Sequence, residues 1–223
     1  MIPNPYPGIF IVFEGIDGCG KTAQLNKVFG WTQTLGILKH HDKVKAKEPG
    51  KERDFGKKIY EDLANKKPTA LHKANPHGFQ TWYASDSKEN LRQHIIPALK
   101  NGSIVLCDRF RPSMVYGAQV LGEISELMTM NQQIIGEDFL WPDLILIFDL
   151  AVNIAIKRLK EKNRDLDEHE KSDVLSRVSM NYRHFAKYPN CQIVNAEQTE
   201  EQVFEKVKKL ILPVIESGRE DES

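Results

Sequence analysis

One stretch constrains this chain more than any other: Gly15-Ile16-Asp17-Gly18-Cys19-Gly20-Lys21-Thr22. It follows an apolar run, Ile9-Phe10-Ile11-Val12-Phe13, and leads into a pattern in which Leu25, Val28, Phe29 and Leu35 recur at helical spacing. Strand, glycine loop and helix start, in that order, make an anion cradle. Gly15, Gly18 and Gly20 admit backbone angles that a β-carbon forbids, so the N–H groups from Ile16 through Cys19 and beyond converge at the positive end of the helix. Lys21 is then placed to reach the outer phosphates of a nucleoside triphosphate as a point charge, and the Thr22 hydroxyl to ligate Mg²⁺.

At 223 residues, 40% hydrophobic and 28% charged, the chain is expected to form one α/β domain spanning 1–223. Lysine plus arginine equals aspartate plus glutamate, 31 of each, so no global field favours nucleic acid or an anionic membrane, and anion binding has to be local. Cys19, Cys107 and Cys191 form no Cys-x-x-Cys pair. Neither a zinc site nor a disulfide framework follows, and a reducing, cytoplasmic setting fits. Met1 to Pro7 lacks the basic and apolar regions of a leader, and no run has the length of a membrane span.

After the first helix, Gly36 stands where a helix cap would, and 40–47 reads as a short strand with weak alternation, ending in the turn Glu48-Pro49-Gly50. A helix is expected over 52–64, a loop between Pro68 and Pro76, then a longer helix over 76–100 tightened at Pro97 and closed by Gly102. Ser103 to Asp108 and Leu144 to Asp149 are apolar runs ending in carboxylates, as core parallel strands do, and Cys191 to Asn195 is a weaker third. The charged stretch 158–171 is the candidate lid. The last helix opens at Thr199-x-x-Gln202, a capping box, and 218–223 reads as a disordered acidic tail. Strands alternating with helices imply a parallel sheet of about five strands covered on both faces.

Five stretches together resemble the thymidylate kinases: Phe13 to Thr22 with Gln24; Glu48-Pro49-Gly50; Tyr83-Ala84-Ser85-Asp86; Cys107-Asp108-Arg109-Phe110 with Ser113; and Pro142-Asp143-Leu144. The resemblance covers nearly the whole chain. It implies a P-loop kinase fold with a helical lid, transfer of the γ-phosphoryl of Mg·ATP to dTMP, and a homodimer. It further implies that Arg109 grips the acceptor phosphate, Asp108 anchors Mg²⁺ from an outer shell, Asp17 lies near the acceptor sugar hydroxyl and Tyr83 stacks on the base. A lid cation, for which Arg164 is chosen over Arg158, Lys160 and Lys162, offsets charge on the transferred group, with Glu170 as the lid carboxylate. Plainer readings stand beside these: Arg109 paired with Asp108, Asp17 satisfying its own turn, Tyr83 a core aromatic, Arg164 a solvated charge beside Asp165 and Asp167.

The likeness thins on the acceptor side. Lys47 stands where the family usually has arginine, keeping charge but losing the fork, and Ser87 stands where an arginine commonly reads the base. The usual Ala-Tyr-Gln string aligns with Tyr116-Gly117-Ala118, with Gln119 one step away. Two alternatives stay open: a kinase with another nucleotide or nucleoside acceptor, and a nucleotide-binding regulator that no longer turns over. Cys19, among loop amides and beside Lys21, is expected to carry an acidified, ATP-protected thiol.

Overall fold

A computed structural model of the chain describes residues 2–118, 123–161 and 172–217. Three strands form its centre: β1 (Ile9–Gly15), β3 (Ile104–Asp108) and β4 (Leu144–Asp149), with β2 (Lys43–Lys47) and β5 (Cys191–Asn195) outside them. The five form one all-parallel sheet in the order β2-β3-β1-β4-β5. Every residue of β1 and β3 is buried, so both faces of the central strands are covered. That double burial explains their unbroken apolar runs. β2 and β5 sit at the edges, half covered, and their weak patterns in sequence follow from it.

The helices are α1 (Lys21–Thr34), α2 (Asp54–Ala64), α3 (Leu71–Ala74), α4 (Pro76–Asn90), α5 (Ile96–Lys100), α6 (Glu123–Ile135), α7 (Val152–Lys160), α8 (Ser172–Phe185) and α9 (Glu200–Ser217). Three expectations need amending. Gly36 does not cap α1 but begins a short 3₁₀ turn, Gly36–Leu38. The segment between Pro68 and Pro76 holds the short α3, because the Asp62 carboxylate accepts from the Leu71 and His72 amides and caps it. The helix over 76–100 is interrupted by a π turn, Leu91–Ile95. Gly102 does close it, at φ 71°. The capping box also forms: Thr199 N donates to Gln202 Oε1 and Gln202 N to Thr199 Oγ1.

The N-terminal lead-in is pinned to the sheet edge opposite the phosphate loop. Asp143 Oδ2 accepts from Phe10 N at 2.7 Å and from Asn4 Nδ2 at 2.8 Å. The Pro142-Asp143-Leu144 motif therefore fixes how β4 enters the sheet beside β1. Among the described residues, no helix is long and apolar enough to cross a membrane. The expected lid from 162 onward and the acidic tail lie outside the described residues; the first part of the stretch, Arg158 to Lys160, is the end of α7.

Candidate active site

Because β1, β2 and β3 run parallel and in register, their C-terminal ends bring Gly15, Lys47 and Asp108 to one edge of the sheet. Ligands of open parallel sheets bind at this edge. β1 passes directly into the phosphate loop, where Gly20 at φ 93° precedes α1 with no side-chain cap on the helix. The first-turn amides are left for an anion. Lys21, 6% exposed, folds back over the loop, its ammonium 3.6 Å from Asp17 Oδ1 and 3.5 Å from the Ile16 carbonyl.

Two cavities flank this loop. One, about 440 Å³, is bordered by Gly18, Cys19, Gly20, Arg158, Gln198 and Glu200. The other, about 320 Å³, lies on the opposite side, with Asp17 and Arg109 at one end and Gln80, Tyr83 and Asn131 along its walls. Between them the Thr22 hydroxyl donates to Asp108 Oδ2 at 2.7 Å. Asp108 Oδ1 is buried and has no hydrogen-bond partner among the described residues.

Arg109 is the junction. Its backbone holds φ 71°, a left-handed conformation that costs a non-glycine residue energy. Its amide donates to the Phe13 carbonyl at 3.0 Å, which locks it against β1. The side chain reaches over the loop: Nη2 donates to Asp17 Oδ1 at 2.6 Å, and the guanidinium stacks 5.0 Å from the Tyr116 ring centroid. The Tyr116 hydroxyl donates to Asp17 Oδ2 at 3.1 Å and accepts from the Asp17 amide at 3.2 Å. Burial works to raise the Asp17 pKa, but the Arg109 and Lys21 charges outweigh it and hold the carboxyl well below its usual range. Beneath lies Glu14, fully buried, accepting from Phe110 N, Ser113 Oγ and Tyr182 Oη at 2.7 to 2.8 Å.

The floor of the 320 Å³ cavity is also charged. Glu48 is buried and accepts from Asn90 Nδ2 at 3.1 Å; burial, aided by Asp86, pushes its pKa up to about 7. Arg53 clamps Asp86 with two nitrogens, at 2.9 and 2.6 Å, and donates to the Lys47 carbonyl. Tyr83 stands half-buried on the wall, its ring edge-on to Phe79 at 5.4 Å.

The family model for thymidylate kinase matches residues 13–207. The chain is 32% identical over 214 residues to a thymidylate kinase from Prochlorococcus marinus (strain MIT 9301), covering 92% of this chain and 96% of that one. It is 35% identical over 209 residues to one from Caldicellulosiruptor saccharolyticus, again covering 92% and 96%. The chain belongs to the thymidylate kinase family.

Against the sites expected of a thymidylate kinase, the structure brings Gly15 to Thr22, Asp108, Arg109 and Ser113 together, and places Lys47, Glu48, Tyr83 and Ser87 around the 320 Å³ cavity. Arg109 is paired with Asp17 rather than with Asp108, and Asp17 is tied outward rather than to its own turn. Gly117 does not border the cavity. A β-carbon there would meet Gln80 Cδ at 2.4 Å, so the glycine makes room for Gln80. Gln119, Arg164, Lys162 and Glu170 lie outside the described residues.

Cys19 needs correction. Its side chain is buried, and desolvation raises its thiol pKa against the smaller opposing pull of Lys21. Sequence reasoning also passed over Arg111, Arg53, Gln80, Asn131 and the hydroxyls of Tyr116 and Tyr182. The only signal for Arg111 was its position two residues after Arg109, at a strand end.

Proposed function

We propose that this chain transfers the γ-phosphoryl group of ATP to dTMP, giving dTDP and ADP. The observation that carries this reading is the phosphate loop standing between two cavities, with Lys21 and Arg109 both reaching Asp17. Phosphoryl transfer needs donor and acceptor oxygens in line with cations around the moving group, and the protein does little covalent work. ATP takes the cavity beside Gly18 to Gly20, with its phosphates on the loop amides and Lys21. The acceptor takes the other.

Arg109 is held by Asp17. An incoming phosphate competes for the same fork, and bidentate Arg–phosphate pairing favours the exchange. Asp17, released, accepts from the acceptor sugar hydroxyl while Tyr116 keeps the carboxylate from turning away. Tyr83 covers the base and Lys47 adds positive charge at the mouth. Arg164 is assigned the lid cation that offsets charge on the transferred group.

Mg²⁺ fits the residues present. Asp108 Oδ1 is buried without a partner and Thr22 offers a hydroxyl beside it, an all-oxygen donor set of the kind this ion takes. Thr22 would hold it directly and Asp108 from the outer shell, and when bound it supplies neutralisation of the phosphate charge.

ADP release measured across a panel of nucleotides tests the reading, with dTMP expected to be the best acceptor. Another nucleotide or nucleoside stimulating turnover where dTMP does not would overturn the substrate and leave the kinase. Tight ATP binding with no transfer to any acceptor would favour a regulator. We further take the chain to be a cytoplasmic homodimer; light scattering should give a mass near twice 25.5 kDa.

A further inference from the structure

Arg111 lies on the turn Arg111–Tyr116 that follows β3 and borders the acceptor cavity. It is 3% exposed, and its guanidinium is held between two phenyl rings, 4.3 Å from the Phe110 centroid and 4.3 Å from that of Phe139. Nη1 donates to Ser87 Oγ at 3.2 Å, while Nε and Nη2 have no acceptor among the described residues. A buried cation with most of its donors idle is costly unless something completes it. The carboxylate whose charge acts on it, Glu48, makes no ion pair with it and accepts from Asn90. No described residue supplies the missing oxygen, and the cavity that Ser87 and Arg111 border together gives a bound molecule a way to it.

We infer that Arg111, steadied by Ser87, determines which acceptor base is taken: it donates to a ring carbonyl oxygen and disfavours a base that presents an amino group at that edge. This rests on the reading that the 320 Å³ cavity receives the acceptor. Arginine has only donors, so a carbonyl completes the fork whereas an amino group sets donor against donor. Nε and Nη2 are closed to solvent. To meet a base in the cavity the fork has to shift from this position, with the two rings holding its stack. The gain over bulk-filling alone is the specificity that unpaired polar groups enforce.

The test is kcat/KM for two pairs that differ at this edge, dTMP against dCMP and dGMP against dAMP, in the wild-type chain, in Arg111→Met and in Arg111→Lys. Methionine keeps an unbranched side chain between the rings but no donor. The wild-type chain should prefer the carbonyl member, and Arg111→Met should shrink that preference roughly 10- to 100-fold, mainly through KM. Arg111→Lys keeps the charge and should fold if methionine does not; losing the fork, it should shrink the preference by about tenfold. An equal fall for both members of a pair in either variant, or an unchanged ratio, overturns the inference, as does a wild-type preference for the amino member. If dTMP fails but another carbonyl-bearing nucleotide is phosphorylated, the dTMP assignment falls and the role of Arg111 is still decided by the purine pair.

Discussion

The two sides of the phosphate loop are built on opposite plans. The donor side is mostly main chain from one stretch: Gly15 to Thr22 supply the amides, one lysine and one hydroxyl, and their geometry follows from glycine angles and a helix start. The acceptor side is side chains from six places: Asp17 on the loop, Lys47 and Glu48 at the end of β2, Tyr60 on α2, Gln80, Tyr83 and Ser87 on α4, Arg109 to Tyr116 after β3, and Asn131 on α6. Main-chain amides keep their place whatever the neighbouring side chain, whereas a side-chain network redistributes when one member changes.

The contrast is sharpest at Lys21. Lys21→Ala should lower kcat by about 10³-fold, the order expected for removing a preorganised transition-state cation. Binding of dTMP, measured calorimetrically, should weaken by no more than a few-fold. Comparable losses in both would mean that the two sides are one network.

Glu48 tests the other plan. Its folded pKa, about 7, lies above the ordinary carboxylate value, so the folded state holds a proton that the unfolded state has released. The stability tied to that proton is complete below the unfolded pKa and is lost as pH rises through about 7. Between pH 5 and 8 the wild-type chain should lose on the order of 2 to 3 kcal/mol relative to Glu48→Gln, in paired denaturant titrations. Parallel pH curves would mean that Glu48 is ionised and well paired, and that the acceptor floor carries no such tension.

What could be read from the sequence divides along the same line. Central strands, the phosphate loop, the Gly102 turn and the Thr199–Gln202 box are local codes, and the fold and donor side follow from them. Arg111 could not be found that way, because its burial is made by Phe139, which approaches from a distant part of the chain. For Cys19 the local features suggested a low thiol pKa, and burial reversed the sign. Tertiary desolvation is invisible to spacing.

Tyr116→Phe should have a smaller effect. Removing the hydroxyl deletes the bonds to the Asp17 carboxylate and amide and the long 3.4 Å bond it accepts from Arg109 Nη2, but leaves the ring on Arg109. At about 1 kcal/mol per net hydrogen bond, the two bonds to Asp17 put the fall in kcat/KM for dTMP at roughly 30-fold. An acceptor lacking the sugar 3′-hydroxyl should show almost none of this loss, since Asp17 has nothing there to accept from. Equal losses with both acceptors would point to general loosening of the loop.

The smallest effect is expected at Cys19, and it bears on how closed the donor side is. The thiol is 3% exposed and its sulfur would stand 2.9 Å from a β-carbon built on Gly15, so it packs under the loop rather than facing the phosphates. Desolvation keeps it a neutral thiol, and only the thiolate is a good nucleophile. Alkylation by iodoacetamide at neutral pH should be at least about tenfold slower than for an exposed cysteine, and equally slow with and without ATP. Unfolding in guanidinium should expose all three thiols to labelling. Rapid labelling that ATP suppresses would show that the phosphate loop opens in the free chain, and the contrast between a rigid donor cradle and an adaptable acceptor network would fail at its rigid end.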